Sequence, residues 1–190
     1  VEVLAIALPP QLDRRALVLG LAGLVAGGAP ARAWAGVDET AVKATYLYKF
    51  APFIEWPAST FASPTSPLHI CVLGDDAFAG VLEQAAMGQR LDGRPIMVRR
   101  LRTADKPTGC HILYLGAGAA KSSGNLLRVL KGSPILTVSD RGGDGQGAII
   151  QFLVKDGRVR FGVDLAAANA NGVTISSKLL SLAVLVKPGA

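Results

Sequence analysis

The stretch LHICVLGDDAFAGVLEQAAM, residues 68–87, decides the fold. Its first seven residues are β-rich and end in Gly74-Asp75-Asp76, and residues 77–87 read as a helix. The same alternation continues downstream. RPIMVRRL (94–101) predicts a second strand. CHILYLG (110–116) predicts a third, a nearly continuous apolar run of the kind that buried parallel strands carry. Residues 121–131 predict a second crossover helix, and PILTVSD (134–140) a fourth strand. Strands alternating with helices point to an α/β class, a three-layer α/β/α sandwich on a mostly parallel sheet.

On either side of this region the pattern changes. AIIQFLVKDGRVRFGVDL (148–165) holds two strand-like runs around Asp156-Gly157, which predicts an antiparallel hairpin at one side of the sheet. Residues 164–170 predict a short helix stopped by Asn171-Gly172. Residues 176–186 predict a last amphipathic helix, capped by Thr174 or Ser176, with Leu179, Leu180, Leu182, Ala183 and Val186 facing the core. Upstream, Val42, Tyr46, Leu47, Phe50, Phe53 and Ile54 have helical spacing and predict a helix over 37–54. Asp38 is placed to cap it, Pro52 to loosen its last turn and Pro57 to end it. Residues 58–67, with Pro64 and Pro67 among Ser and Thr, predict a loop.

The N-terminus reads as a targeting signal. Arg14 and Arg15 precede an apolar stretch from Ala16 to Val25, and Gly27, Gly28 and Pro30 follow. Ala33-Trp34-Ala35 places small residues where a signal peptidase reads, so cleavage is expected before Gly36. An uncleaved anchor is the alternative, and the paired arginines admit twin-arginine export. Residues 1–35 are therefore set apart from a single domain over 36–190.

The 190 residues are 50% hydrophobic and 18% charged, which is too apolar for disorder and enough for one real core. Export bears on how the two cysteines, Cys71 and Cys110, are read. An even count outside the cytoplasm suggests a disulfide. Two buried free thiols are the alternative, and a metal site with His69 and His111 matches no compact zinc spacing.

Little in the chain points to catalysis. The two histidines, His69 and His111, sit near no Ser nucleophile motif, and neither G-x-S-x-G nor a Walker loop occurs. The glycine-rich run Gly142–Gly147 follows one strand and precedes another, so it reads as a loop more than a phosphate cradle. Asp75 and Asp76 end the first strand, where open α/β sheets place ligands, and read as loop and capping residues. No cofactor or metal is expected, and the chain reads as a non-enzyme.

The formal net charge is +6, and basic residues cluster at Arg90, Arg94, Arg99, Arg100, Arg102 and Lys106, against Asp92 and Asp105. An exported protein seldom meets nucleic acid. An acidic protein surface or anionic lipid is the better-matched partner, and a strand edge guarded by charge is the plain structural reading.

VKATYLYKFAPFIEWP (42–57) resembles the opening signature of the YfiR-like family of periplasmic proteins. ICVLGDDAF (70–78), GRPIMVRRL (93–101), CHILYLG (110–116), ILTVSD (135–140) and GAIIQFLVKDGRVRFGVDLAAANANGVTISSKLLSLA (147–183) agree in order. The resemblance implies a disulfide between Cys71 and Cys110. It departs at Gly162 and Asp164, where relatives tend to carry Glu and Asn. It implies a repressor that binds the periplasmic sensor region of a membrane-bound diguanylate cyclase and so lowers cyclic di-GMP and biofilm formation. It also implies an OmpA-like outer-membrane lipoprotein that sequesters the repressor, and a homodimer is a further candidate assembly. For such a role Tyr48, Phe53, Glu55 and Trp56, near the end of the first helix, are the candidate contact residues, with Arg99, Arg100 and Arg102. Core packing is the competing role for the aromatic ones. A small-molecule sensor using the crevice near Asp75 and Gly116 is the alternative function.

Overall fold

Helix α1 runs over Arg32–Lys49 in a computed structural model that describes residues 32–104, 107–140 and 147–189, with side chains from residue 39 onward. Its buried face is set by Leu47 and Phe50, and Tyr46 and Phe50 pack on Phe152 and Phe161. The helix already passes through residue 38, so Asp38 is not its cap. It also stops at Lys49, short of the expected end at 54, because Pro52 enters a separate 3-10 turn over Ala51–Phe53. Strand β1 (Ile54–Glu55) follows.

The sheet then forms by strand–helix alternation. β2 is Leu68–Leu73, α2 is Asp76–Ala86, β3 is Arg90–Leu91 and β4 is Arg94–Leu101. β5 is Ile112–Leu115, α3 is Ala120–Val129 and β6 is Leu136–Ser139. The hairpin comprises β7 (Ile150–Lys155) and β8 (Arg158–Asp164), and α4 (Leu165–Ala170) follows. Its turn residues Asp156 and Gly157 both have positive φ, 52° and 68°, as a two-residue hairpin turn requires. The chain continues through β9 (Thr174–Ile175), α5 (Ser177–Leu180) and β10 (Leu185–Lys187).

Among the described residues the main sheet has eight strands in the order β10-β8-β7-β6-β5-β2-β4-β3. β4, β2, β5, β6 and β7 are mutually parallel, and β8 returns antiparallel to β7. The fold is thus α/β, as expected. Alternate residues of β2 and β5 serve two cores. Leu68, Ile70, Val72, Ile112 and Tyr114 join a core with α1 and α2, whereas Cys71, Leu73, Leu113 and Leu115 join one with α3.

The C-terminal expectation is corrected and one strand is added. The last helix is only Ser177–Leu180, capped by Ser176, and the chain then extends into β10, parallel to β8. Leu182 and Val186, expected in the core, are 63% and 38% exposed. Val184-Leu185-Val186 is β-favouring, and the open edge of β8 supplies a ladder that a four-residue helix cannot match. The hairpin lies at one side of the sheet as expected, with β10 added outside it. Finally, β3 turns into β4 through Asp92-Gly93, both at positive φ (48° and 83°). This second Asp-Gly turn adds a strand that the sequence reading lacked.

Candidate functional site

Polar chemistry collects at the two ends of the parallel strands. At the carboxyl end, Tyr114 on β5 stacks on Phe78 at 4.1 Å and donates its phenol to Asp140 Oδ2 at 3.0 Å. Lys43 of α1 reaches the other oxygen, Oδ1, at 2.6 Å, and Glu39 one turn earlier at 2.6 Å. Lys43 is 6% exposed and Tyr114 fully buried. Burial opposes the ammonium charge, but the hydrogen bonds to Asp140 and Glu39 outweigh it and hold the Lys43 pKa above its usual value. Burial, reinforced by the Asp140 carboxylate, pushes the Tyr114 phenol up, so it stays a neutral donor. The cluster ties α1 to the ends of β5 and β6. Its groups are committed to one another, which suits bracing better than catalysis.

Sequence reasoning missed this cluster. The signal was present: Lys43, Leu47 and Phe50 fall on one helical stripe, so a charge sits at a core position. Tyr114 is likewise the polar member of an otherwise apolar strand.

Beside Asp75 and Gly116 two loops meet backbone to backbone. Gly116 N–H donates to Leu73 O at 2.9 Å, and Gly118 N–H to Gly74 O at 3.0 Å. A Cβ on Gly116 would lie 2.5 Å from the Asp75 Cβ, so glycine is what lets the two loops meet. An open, polar cleft of ≈ 670 Å³ remains alongside, lined by residues that include Asp75, Asp76, Arg102 and Ser122. Asp75 caps α2, accepting from Phe78 N–H at 2.9 Å, as its expected capping role requires. The run Gly142–Gln146, and Asp105 and Lys106 of the basic cluster, lie outside the described residues. So does the apolar stretch of the expected leader.

Most of the arginines are already engaged. Arg100 makes a two-pronged ion pair with Glu83 of α2, at 2.9 and 2.8 Å, and Arg99 donates to Thr108 O at 3.2 Å. Arg94 donates to Ser63 O and Ser66 O at 2.6 and 3.2 Å. Arg102 is exposed at the end of β4. Charged side chains along β3 and β4 guard that edge of the sheet.

At the amino end, β1 and β9 pair antiparallel, Ile54 with Ile175 and Glu55 with Thr174, and Ser176 N–H donates to Phe53 O at 2.9 Å. This small ladder joins the segment after α1 to a segment more than a hundred residues later. Tyr48, Phe53 and Trp56 are half-buried against the core beneath it, and Glu55 is exposed. Trp56 meets Phe61 edge-on at 6.0 Å. Its indole Nε1 is shut from solvent and has no hydrogen-bond partner among the described residues, and the same holds for Thr60 Oγ1. Buried donors are seldom left so, and Trp56 therefore stands out as a site. The four candidate contact residues 48, 53, 55 and 56 lie together at this end. Arg99, Arg100 and Arg102 follow one another toward the opposite end of β4.

Cys71 and Cys110 form a disulfide, with Cα atoms 5.9 Å apart. Neither thiol is then available to a metal. Both sulfurs lie in the α3-side core, whereas His111 sits with Phe61. At the departure points from the resemblance, Gly162 pairs with Leu185 of β10, and Asp164 caps α4 through Ala167 N–H at 2.9 Å. A family model described as YfiR/HmsC-like matches residues 40–184.

Proposed function

The chain belongs to the YfiR/HmsC-like family, and from that premise we propose that it is a periplasmic repressor of an inner-membrane diguanylate cyclase, acting by binding the cyclase's periplasmic sensor region. Proteins of this family regulate diguanylate cyclases from the periplasm and are regulatory, not catalytic. The disulfide fits an oxidising compartment. A cleaved leader delivers the chain there, and an OmpA-like outer-membrane lipoprotein relieves repression by sequestering it.

The family match across the domain carries this reading, and we place the contact at Trp56. A half-buried tryptophan beside exposed Glu55, directly after a two-stranded ladder, suits the centre of an interface. Repression then depends on how much better the site grips one conformation of the sensor than the other. Arg102, exposed just past β4, is a second contact for acidic groups, whereas Arg99 and Arg100 point to opposite faces of the strand and are already bonded to Thr108 O and Glu83.

Deleting the gene in its host should raise cyclic di-GMP, and the tagged protein should retain a membrane protein bearing a cyclase domain. Glu55→Arg, an exposed change that leaves the fold intact, should weaken that retention. Unchanged cyclic di-GMP with no cyclase retained would sink the proposal.

A further inference from the structure

His111 extends the β2–β5 ladder by one step using its side chain. Its backbone N–H donates to His69 O at 3.0 Å, and the His69 backbone N–H donates to His111 Nδ1 at 3.0 Å. Nδ1 therefore presents a lone pair. The ring proton then sits on Nε2. The residue is 6% exposed, and Phe61 lies flat on the imidazole, 4.4 Å away with planes 9° apart. Arg94 lies over the same Phe61 ring at 4.1 Å, and Phe61 in turn abuts Trp56. The neutral imidazole thus holds Phe61 of segment 57–67 by its ring face, while Arg94 holds the far end of the segment through Ser63 O and Ser66 O.

A proton on Nδ1 would undo this. The acceptor would become a donor pointed at the His69 N–H, another donor. The new charge would also stand among cations from each strand packed against it. His69 faces it from β2 and Arg94 from β4, and Arg99 of β4 faces His69. The segment 57–67 carries no charged residue and brings the Phe61 ring to the imidazole.

We propose that His111 is a proton-operated latch: the imidazolium leaves the His69 amide and the Phe61 stack, loosening the part of segment 57–67 around Phe61 that the Arg94 bonds to Ser63 and Ser66 do not hold, and with it the setting of Trp56. Burial first, then His69 and Arg94, hold the His111 pKa below its usual value of 6.5. A depressed folded-state value means that the unfolded chain takes up the proton more readily. The latch is therefore closed above 6.5 and opens as pH falls through the lower, folded-state value. Its consequence for repression, that acid loosens the grip on the cyclase, rests on the Trp56 reading given above.

The test is an NMR titration of the protein from about pH 7.5 to about pH 4.5. It follows the His111 ring, the Thr60 and Phe61 amides and the Trp56 indole N–H. All four should shift with one midpoint below the free imidazole value. In His111→Asn, whose Oδ1 accepts from His69 N–H at every pH, the segment should stay in place while His69 still titrates. In His69→Gln the transition should persist with its midpoint raised, which identifies His111 even if the Asn variant fails to fold. Loop signals that ignore the His111 titration, or a transition that vanishes in His69→Gln, would overturn the latch. If the segment opens but cyclase retention is equal at about pH 7.5 and about pH 5, the latch stands and Trp56 is removed from the partner surface.

Discussion

Reducing the Cys71–Cys110 disulfide should cost about 4 kcal/mol of folding stability. The two cysteines are 39 residues apart in sequence, yet in the fold they lie on neighbouring strands whose register is already set by the ladder from Ile70–Ile112 to Leu73–Leu115. The bridge therefore adds little to native contacts, and its effect falls on the unfolded chain. Closing a loop of about 40 residues removes about 13 cal/mol/K of denatured-state entropy, or about 4 kcal/mol at 25 °C. Against a total of roughly 5–15 kcal/mol for a domain, that is a large share. It corresponds to a fall in Tm of roughly 8–16 °C at this chain length. Urea unfolding with and without a phosphine reductant measures it, with loss of labelling resistance reporting that both thiols are free. Reduction leaves both buried sulfurs in place, so the cross-link alone is tested. Cys71→Ala with Cys110→Ala should cost somewhat more, because small cavities are added. The m-value should rise on reduction, as the denatured ensemble expands and exposes more surface. A loss below about 1 kcal/mol with an unchanged m-value would refute the reasoning.

Three more predictions concern the carboxyl end of the sheet. Tyr114→Phe should cost about 1.5 kcal/mol, the worth of a hydrogen bond to a carboxylate. Lys43→Met should cost about 2 kcal/mol, less than a fully buried pair because Glu39 and Asp140 keep some solvent. The Lys43 pKa is raised by folding, so its contribution is complete below 10.5 and is lost as pH climbs through the folded-state value. A Lys43→Met variant whose thermal midpoint matches the parent at neutral pH would contradict the bracing role. Gly116→Ala should destabilise by about 3 kcal/mol or more, since its methyl would meet the Asp75 Cβ at 2.5 Å and prise the two loops apart. A differential scan showing less than half that loss would mean that the loops yield freely.

The repression reading adds a demand on the fold: the partner surface must be held firmly while remaining releasable. The Lys43–Asp140–Tyr114 cluster and the glycine-lined loops anchor the carboxyl end. The amino end carries the β1–β9 ladder, Trp56 and the histidine stack, where the proposed contact and latch are placed.

The sequence by itself determined the α/β class, the strands β2, β4, β5 and β6, and the β7–β8 hairpin. Each of these is encoded locally: buried parallel strands are short apolar runs, and Asp156-Gly157 adopts the positive φ values that reverse a ribbon. The disulfide was legible as well, from an even cysteine count and the family pattern. Only the tertiary structure decided the rest. Leu185–Lys187 form a strand because β8 offers an open edge, which no window of sequence contains. Lys43 and Asp140 are 97 residues apart, Tyr114 and Asp140 26, and His69 and His111 42. A backbone period reveals which face of an element is buried, but which polar groups meet there depends on how distant segments return to the same place.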